Sequence, residues 1–504
     1  VKVRLLYRGG DLDLERPLPG NAAELTRDLE LEHLLGAMAG GDGFLHEVAR
    51  RTLLGGLGND AETIAYRQAV LRDFLARPGL LRSLYAIAGQ AAEVRRKHYW
   101  HFHRSHPGGV LYGSLGLLEA LVEVLWRLRR LADRDARGCV SEGLAAFFER
   151  LARDLPDEYL GTVGEHLKRL RLRRGVLLGA ALGRGNRGTG YVLCEPGSGR
   201  PGWARLWRAR RGHTFQIHER DQAGAQALAE LRDRGLNEVA NTLAQSAEHL
   251  IGFFSTLRAE LAFYLGCVNL HERLAAQGSP LTFPAAAAPG SRRHRCTGLY
   301  DVCLALATGR PVVGNDLDAD ARDAIIITGA NQGGKSTFLR ALGVAQLMMQ
   351  CGMFVPARSF CADLRGALLS HFPREEDAAP EGGRLDEELR RASEMVDALT
   401  PGALVLLNES FATTNEREGS EIARQVLDAL TEAGVKVLFV THLHEFAARL
   451  HAERRDNVLF LRAERGADGH RTFRLTPGEP LATSFGADLY AEVFGGRAEP
   501  GGGE

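Results

Sequence analysis

The sequence predicts a multidomain chain: an all-α N-terminal part carrying a short β-containing insertion, followed by an α/β domain on a mostly parallel sheet. Three observations lead there. The 504 residues are 45% apolar and 25% charged, the balance of folded globular domains, and the length allows about two to four of them. Apolar residues recur at three and four through residues 21–155 and again through 221–274. Beyond residue 298, apolar runs of strand length alternate with amphipathic helices.

Taken in order, residues 1–20 form an extension. ELTRDLELEHLLGAMAG, AETIAYRQAVLRDFLARPGLLRSL and GSLGLLEALVEVLWRLRRLAD then read as amphipathic helices. Residues 171–220 change texture: they are Gly-rich, and the β-prone runs 191–194 and 214–217 predict short strands. Leu243, Leu250, Phe254, Leu257, Leu261, Tyr264 and Val268 then lie on one seam of a long helix, closing a helical part over 21–277. The Pro-, Ala- and Arg-rich stretch TFPAAAAPGSRRHR predicts a connection over 278–297. The α/β domain, 298–494, reads as strand 324–328, Gly-rich loop, helix 336–350, strand 403–407, helix 420–432, strand 435–441 and helix 443–450. NVLFLRAE and RTFRLTP close it as an antiparallel hairpin, and residues 495–504 form a disordered tail.

Lys plus Arg equals Asp plus Glu at 63 each, so attraction to nucleic acid must rest on a local patch. Only five of the cations are lysines, and Lys335 is one of them. The seven cysteines are dispersed, without a C-x-x-C pair, which argues for a reducing compartment. VKVRLLYRGG lacks the apolar core of a signal peptide, and no uninterrupted apolar run approaches the roughly 20 residues that span a bilayer. A soluble, cytoplasmic protein is expected.

Gly329-Ala330-Asn331-Gln332-Gly333-Gly334-Lys335-Ser336-Thr337 matches G-x-x-x-x-G-K-[ST] directly after the strand AIIIT and before a helix, as phosphate binding requires. Backbone N–H groups from Gln332 to Lys335 converge on a phosphate at the helix N-terminus, and the glycines permit close approach. In that reading Lys335 bridges β- and γ-phosphates of ATP and Ser336 ligates Mg²⁺. The strand ALVLL delivers Asn408 and Glu409 at a Walker B position, Asn408 beside Mg²⁺ and Glu409 acting on the attacking water. VLFVTH ends on His442, at the strand end where parallel sheets bind ligands, a candidate γ-phosphate sensor.

With these residues in order, the sequence resembles the MutS-type DNA mismatch-repair family. TGANQGGKST is similar to its T-G-P-N-M-G-G-K-S-T, CGMFVPA to G-x-[FY]-V-P-A, VTHLHEFA to A-T-H-x-x-E-L, and Thr483-Ser484-Phe485-Gly486 to S-[FY]-G. Residues 408–419 keep the spacing of D-E-I-G-R-G-T-S-T-x-D-G. The resemblance implies a P-loop ATPase over 298–494, like MutS domain V, a core and lever like domain III over 21–277, and a clamp over 171–220. It further implies ATP and Mg²⁺ as ligands, DNA as partner, and a homodimer through the ATPase domains. No segment resembling the mismatch-reading or connector domains precedes the core, so direct mismatch reading is not expected.

Three departures qualify the implied chemistry. Asn408 stands for the Walker B aspartate, removing a charge near the metal and predicting slow hydrolysis. Gly383 stands where the family's trans-acting serine falls. Val312 or Val313 stands for the adenine-stacking aromatic, predicting a purely apolar base site.

Residues 171–220 hold eleven arginines against two glutamates, a local excess suited to phosphate contacts. Arg184, Arg187, Arg205, Arg208, Arg210 and Arg211 are the candidate DNA contacts. Trp203 and Trp207 read as anchors of a small core, with stacking on bases as the alternative, and His98, His101, His103 and His106 as solvated imidazoles at an aromatic helix end, with metal binding by His98 and His101 as the alternative. The expected function is ATP hydrolysis coupled to lever and clamp closure on DNA, in mismatch repair. The alternatives are a relative acting on branched or recombination DNA, and an ATP-gated scaffold with little turnover.

Overall fold

The computed structural model describes residues 2–102, 106–173, 175–194, 214–374, 383–466 and 471–480. The described chain is rich in helix, with mixed sheets, and it divides into two compact units.

The first unit comprises residues 1–4, 79–140 and 144–261. It contains α5 (Pro78–Phe102), α6 (Pro107–Asp135), α7 (Glu142–Asp154), α8 (Asp157–Leu170), and α9 (Gln222–Ala276) as far as Leu261. Leu111, Leu118, Leu121, Leu125 and Leu128 bury the inner stripe of α6, and Leu160 and Leu167 that of α8, which packs on it. Strands β1 (Leu177–Leu182) and β2 (Gly188–Cys194) pair as an antiparallel hairpin. Gly235 of α9 lets this hairpin sit close: a Cβ there would lie 2.2 Å from Leu178 Cδ2. The expected strand at 191–194 is the end of β2, whereas 214–217 carries no strand and leaves Phe215 exposed. Two stretches, Pro107–Gly138 and Gln222–Ala276, are apolar and long enough by composition to cross a membrane, although polar residues interrupt them. Of each apolar window, 67% is buried inside the protein, as in core helices.

The second unit comprises residues 5–78, 141–143 and 262–504. Helices α1 (Ala22–Asp28), α2 (Leu31–Ala39), α3 (Gly43–Leu54) and α4 (Ala61–Ala76) belong to it together with both larger sheets. A four-stranded sheet runs β3-β7-β4-β5, from β3 (Ala285–Ala287), β4 (His294–Leu299), β5 (Asn315–Asp318) and β7 (Ser359–Asp363). Residues 278–297, read from composition as a connection, thus contribute β3 and part of β4. Their short runs gain strand structure by pairing far along the chain, β3 with β7 and β4 with both β7 and β5.

The six-stranded sheet has the order β12-β11-β6-β10-β9-β8. Strands β6 (Ala324–Gly329), β8 (Leu368–His371), β9 (Leu404–Asn408), β10 (Lys436–Val440) and β11 (Val458–Arg465) are parallel, and β12 (Arg471–Pro477) closes one edge antiparallel. β6, β9 and β10 are buried throughout, which explains their unbroken Ile, Leu and Val runs. Connecting helices follow: α10 (Val302–Thr308), α11 (Lys335–Gln350), α12 (Arg384–Asp397), α13 (Glu416–Glu432) and α14 (His444–Ala452). Helix α11 is buried almost throughout, packing on β9 and β10 and also on α3, α4 and β3. Gly343 permits this, since a Cβ would lie 2.6 Å from Leu406 Cδ1 and 3.1 Å from Leu29 Cδ2. Its buried amide N–H groups are paired: Gln346 donates to Asp363 O, and Gln350 to Leu57 O and Arg365 O.

Lys436 opens β10 at 4% exposure, and its Nζ donates to Ala319 O at 2.9 Å. Burial, reinforced by the Arg365 charge, pushes it down to about 8. Holding the ammonium in the folded state at pH 7 is therefore unfavourable, and this cost falls as pH rises from about 8 towards the unfolded value of about 10.5. Ala319 O also accepts from Arg322 N, so it would keep a donor. Lys436→Met is expected to stabilise the protein by about 1–3 kcal/mol at pH 7, with the gain vanishing above about pH 10.5. Urea midpoints across that range check it.

Candidate functional site

Strand β6 ends at Gly329, whose φ of 107° turns the chain away from the sheet beside β11. A Cβ at Gly329 would lie 2.8 Å from Ala463 N, and one at Gly333 would lie 2.6 Å from Ala463 Cβ. Gln332 and Gly334 also take left-handed conformations, with φ of 58° and 85°, and Lys335 begins α11. The loop is therefore a tight arch from a buried strand into a helix N-terminus, where backbone donors and the helix dipole favour an anion.

Asn331 through Thr337 line a cavity of about 750 Å³ together with Val312, Val313, Asp301, Asn315, Glu409 and Phe473. Gly329 and Ala330 lie behind this lining, and their carbonyl oxygens each accept from Lys335 Nζ at 2.9 Å. Burial pushes Lys335 down to about 8, against the opposing pull of Glu409. Ser336 Oγ donates to Asn408 Oδ1 at 2.7 Å, joining the loop to the end of β9.

Glu409 follows Asn408 with φ 52°, and its N–H donates to Val440 O across to β10. Its Oε1 lies 2.9 Å from His442 Nε2. That hydrogen bond holds the carboxyl below the usual carboxylate range; burial opposes it, and the His442 and Lys335 charges assist. Thr441 N donates to Ile327 O, keeping the end of β10 in register with β6 and so aligning His442. Parallel order thus gathers the ends of β6, β9 and β10 at one sheet edge, as in open α/β folds generally.

The side-chain oxygens at this edge fit Mg²⁺ in one respect and not in another. Ser336 Oγ and Asn408 Oδ1 lie side by side, and both are neutral oxygens of the kind a hard cation accepts. They suit a Mg²⁺ held chiefly by phosphate oxygens. Asn408 supplies no charge of its own.

Phe473 has no counterpart among the residues expected from the sequence. It lies on β12 with φ 57°, and Asn315 fixes its backbone by donating to Phe473 O at 3.1 Å and accepting from Leu475 N at 2.7 Å. Val312 and Val313 line the cavity as expected of an apolar base site, and Phe473 adds a further apolar residue to the same lining. No local signal marks Phe473, because the strand pairing of β12 with β11 carries it to the loop. Asp301, also in the lining, likewise has no counterpart among the expected residues. It caps α10 through Leu304 N and accepts from Arg340 Nε at 3.2 Å.

Arg184 and Arg187 stand exposed at the turn of the β1–β2 hairpin. Arg205, Arg208, Arg210 and Arg211 lie outside the described residues, as do Trp203, Trp207 and the Thr483–Gly486 motif. Gly383 is the exposed residue before α12.

Residues 59–277 match the family model of the MutS2 N-terminal domain, and residues 325–488 match MutS domain V. The DNA mismatch repair protein MutS of Chloroflexus aurantiacus is 35% identical over 143 residues, 27% of this chain and 15% of that relative. An Endonuclease MutS2 from an Anaeromyxobacter species is 34% identical over 193 residues, 36% of this chain and 23% of the relative. The DNA mismatch repair protein msh3 of Aspergillus niger is 29% identical over 181 residues, 34% and 16% of the two chains. Each of these matches covers less than a quarter of the relative's length.

Proposed function

Since the chain belongs to the MutS family, we propose that it is an ATP-hydrolysing, DNA-binding protein in which nucleotide state controls lever and clamp closure on DNA, in mismatch repair. The observation that carries this reading is the glycine arch at the start of α11, with Lys335 inside the cavity and Glu409 across from it. In this reading Gln332 to Lys335 bind the phosphates of ATP through backbone N–H groups, and Lys335 exchanges its two carbonyl partners for phosphate oxygens. Glu409 accepts a proton from the attacking water, and His442 orients its carboxylate. Ser336 and Asn408 would hold Mg²⁺, which supplies charge neutralisation at the phosphates. Val312, Val313 and Phe473 enclose the base. Homodimerisation through this unit and a reducing, cytoplasmic location belong to the same proposal; the seven cysteines are free thiols.

The test is ATP binding by wild type and Lys335→Met. Loss of binding in the variant supports the reading, and equal affinity overturns it. The pH dependence sharpens it. Free Lys335 loses its charge as pH rises through about 8, so ATP affinity is expected to fall about tenfold between pH 7 and 9, while Lys335→Met stays flat. Phe473→Ala is expected to weaken ATP about fivefold to tenfold, yet leave inorganic tripolyphosphate unaffected, as calorimetry would read.

The alternative reading is action on branched or recombination DNA. Binding to mismatched, homoduplex and four-way DNA separates the two. Replacing Arg184, Arg187, Arg205, Arg208, Arg210 and Arg211 by Ala should flatten the salt dependence for every substrate.

A further inference from the structure

The loop after Glu409 is strained, and the strain has identifiable restraints. Glu409 and Phe411 have φ of 52° and 67°, left-handed conformations that are unfavourable for side chains of their size and persist only where surroundings over-determine them. Phe411 is fully buried, and its N–H donates to Glu388 Oε1 at 2.6 Å. Thr413 Oγ1 donates to Glu388 Oε2, also at 2.6 Å, so one carboxylate on α12 grips the loop at two points.

His371, at the end of β8, provides a second restraint. It is 2% exposed, its ring stacks on Phe411 at 5.8 Å, and its Nδ1 lies 2.7 Å from Ser410 Oγ. Its Nε2 lies 3.3 Å from Glu388 O. Burial lowers its proton affinity; Ser410 Oγ also donates to His371 O at 3.1 Å, so ring and backbone of His371 both contact the segment after Glu409. Both the side chain and the backbone of Glu388 therefore hold the segment that sets Glu409.

We propose that Glu388 is a positioning residue: by holding Phe411 and Thr413 it keeps Glu409 in the left-handed conformation that faces the cavity and meets His442. The proposal rests on the hydrolysis reading above for its kinetic consequence, but its geometric content stands apart. When Glu388 is removed, the loop relaxes towards ordinary backbone angles and the carboxylate of Glu409 leaves His442. Glu388 lies outside the lining of the cavity.

The experiment uses the full chain with Glu388→Ala, Glu388→Gln and Thr413→Val. Two signals are read in each: single-turnover phosphate release beside ATP affinity, and the ¹⁵N resonance of the His442 imidazole. Glu388→Ala is expected to slow phosphate release tenfold or more with ATP affinity within twofold, and to shift the His442 resonance to that of Glu409→Ala. Glu388→Gln keeps one acceptor oxygen and should recover part of both signals, and Thr413→Val should give a smaller loss. An unchanged His442 resonance in Glu388→Ala overturns the proposal, whether or not the wild type turns over. So does a loss in which rate, ATP affinity and melting temperature fall together without recovery by Gln. Failure of the wild type to bind ATP would instead overturn the functional reading, with the resonance still deciding the role of Glu388.

Discussion

Glu409→Gln is expected to lower phosphate release by about 10²-fold or more, equivalent to about 2.7 kcal/mol of transition-state stabilisation, with ATP affinity within twofold of wild type. The physical basis is that the carboxyl lies below the usual range because His442 donates to it, so at neutral pH it is an ionised proton acceptor facing the cavity. An amide has the same shape and can orient water, but it cannot take a proton. The lowered value also fixes the sign of the acid limb. Glu409 stays ionised as pH falls to the ordinary carboxylate range, and turnover declines only below it. Asn408 is expected to lower the starting rate, so single-turnover measurement is the appropriate check. Equal phosphate release from wild type and Glu409→Gln would remove Glu409 from the chemistry.

Arg67→Ala is expected to destabilise the second unit by about 3–5 kcal/mol, read as a shift in its urea midpoint. Arg67 heads the largest fully buried side chains, at 0% exposure. Its Nε donates to Leu6 O at 3.0 Å and its Nη1 to Cys351 O at 3.1 Å, and its guanidinium lies 4.4 Å from the Tyr7 ring centroid. One side chain thus ties the N-terminal segment and α4 to the end of α11. Gly352, at φ 83°, leaves room for it, since a Cβ there would lie 2.6 Å from Arg67 Cβ. Truncation opens a cavity and strips two carbonyl oxygens of this donor. Lys436→Met has the opposite expected sign because its one acceptor keeps another donor and the methionine refills the volume. A midpoint for Arg67→Ala within about 0.5 kcal/mol of wild type, the range of ordinary surface substitutions, would show that the two carbonyls find water.

How legible each feature was depended on how local its cause is. The arch at Gly329–Thr337 is a nearest-neighbour problem: a buried apolar strand, glycines that permit φ above zero, and a helix start lie within a few residues. Asn408, Glu409 and His442 were legible for a similar reason, since each ends or follows a strand whose apolar run marks it as buried. The second sheet was not legible. β3, β4, β5 and β7 are short, partly polar runs whose strand character comes from one another. The strand expected at 214–217 failed in the reverse way, because alternating residues alone do not supply a pairing partner.

The sequence by itself determined the helical and α/β textures, the order of the long strands and the phosphate-type loop, all of which follow from periodicity and from glycine's freedom at a turn. Only the tertiary structure decided that Phe473 faces the loop, that Glu388 grips the residues after Glu409, and that Arg67 joins α4 to the end of α11. These groups are far apart along the chain, and the order of strands in the sheet and the burial of α11 bring them together. Their chemistry is a property of neighbours that no local pattern encodes.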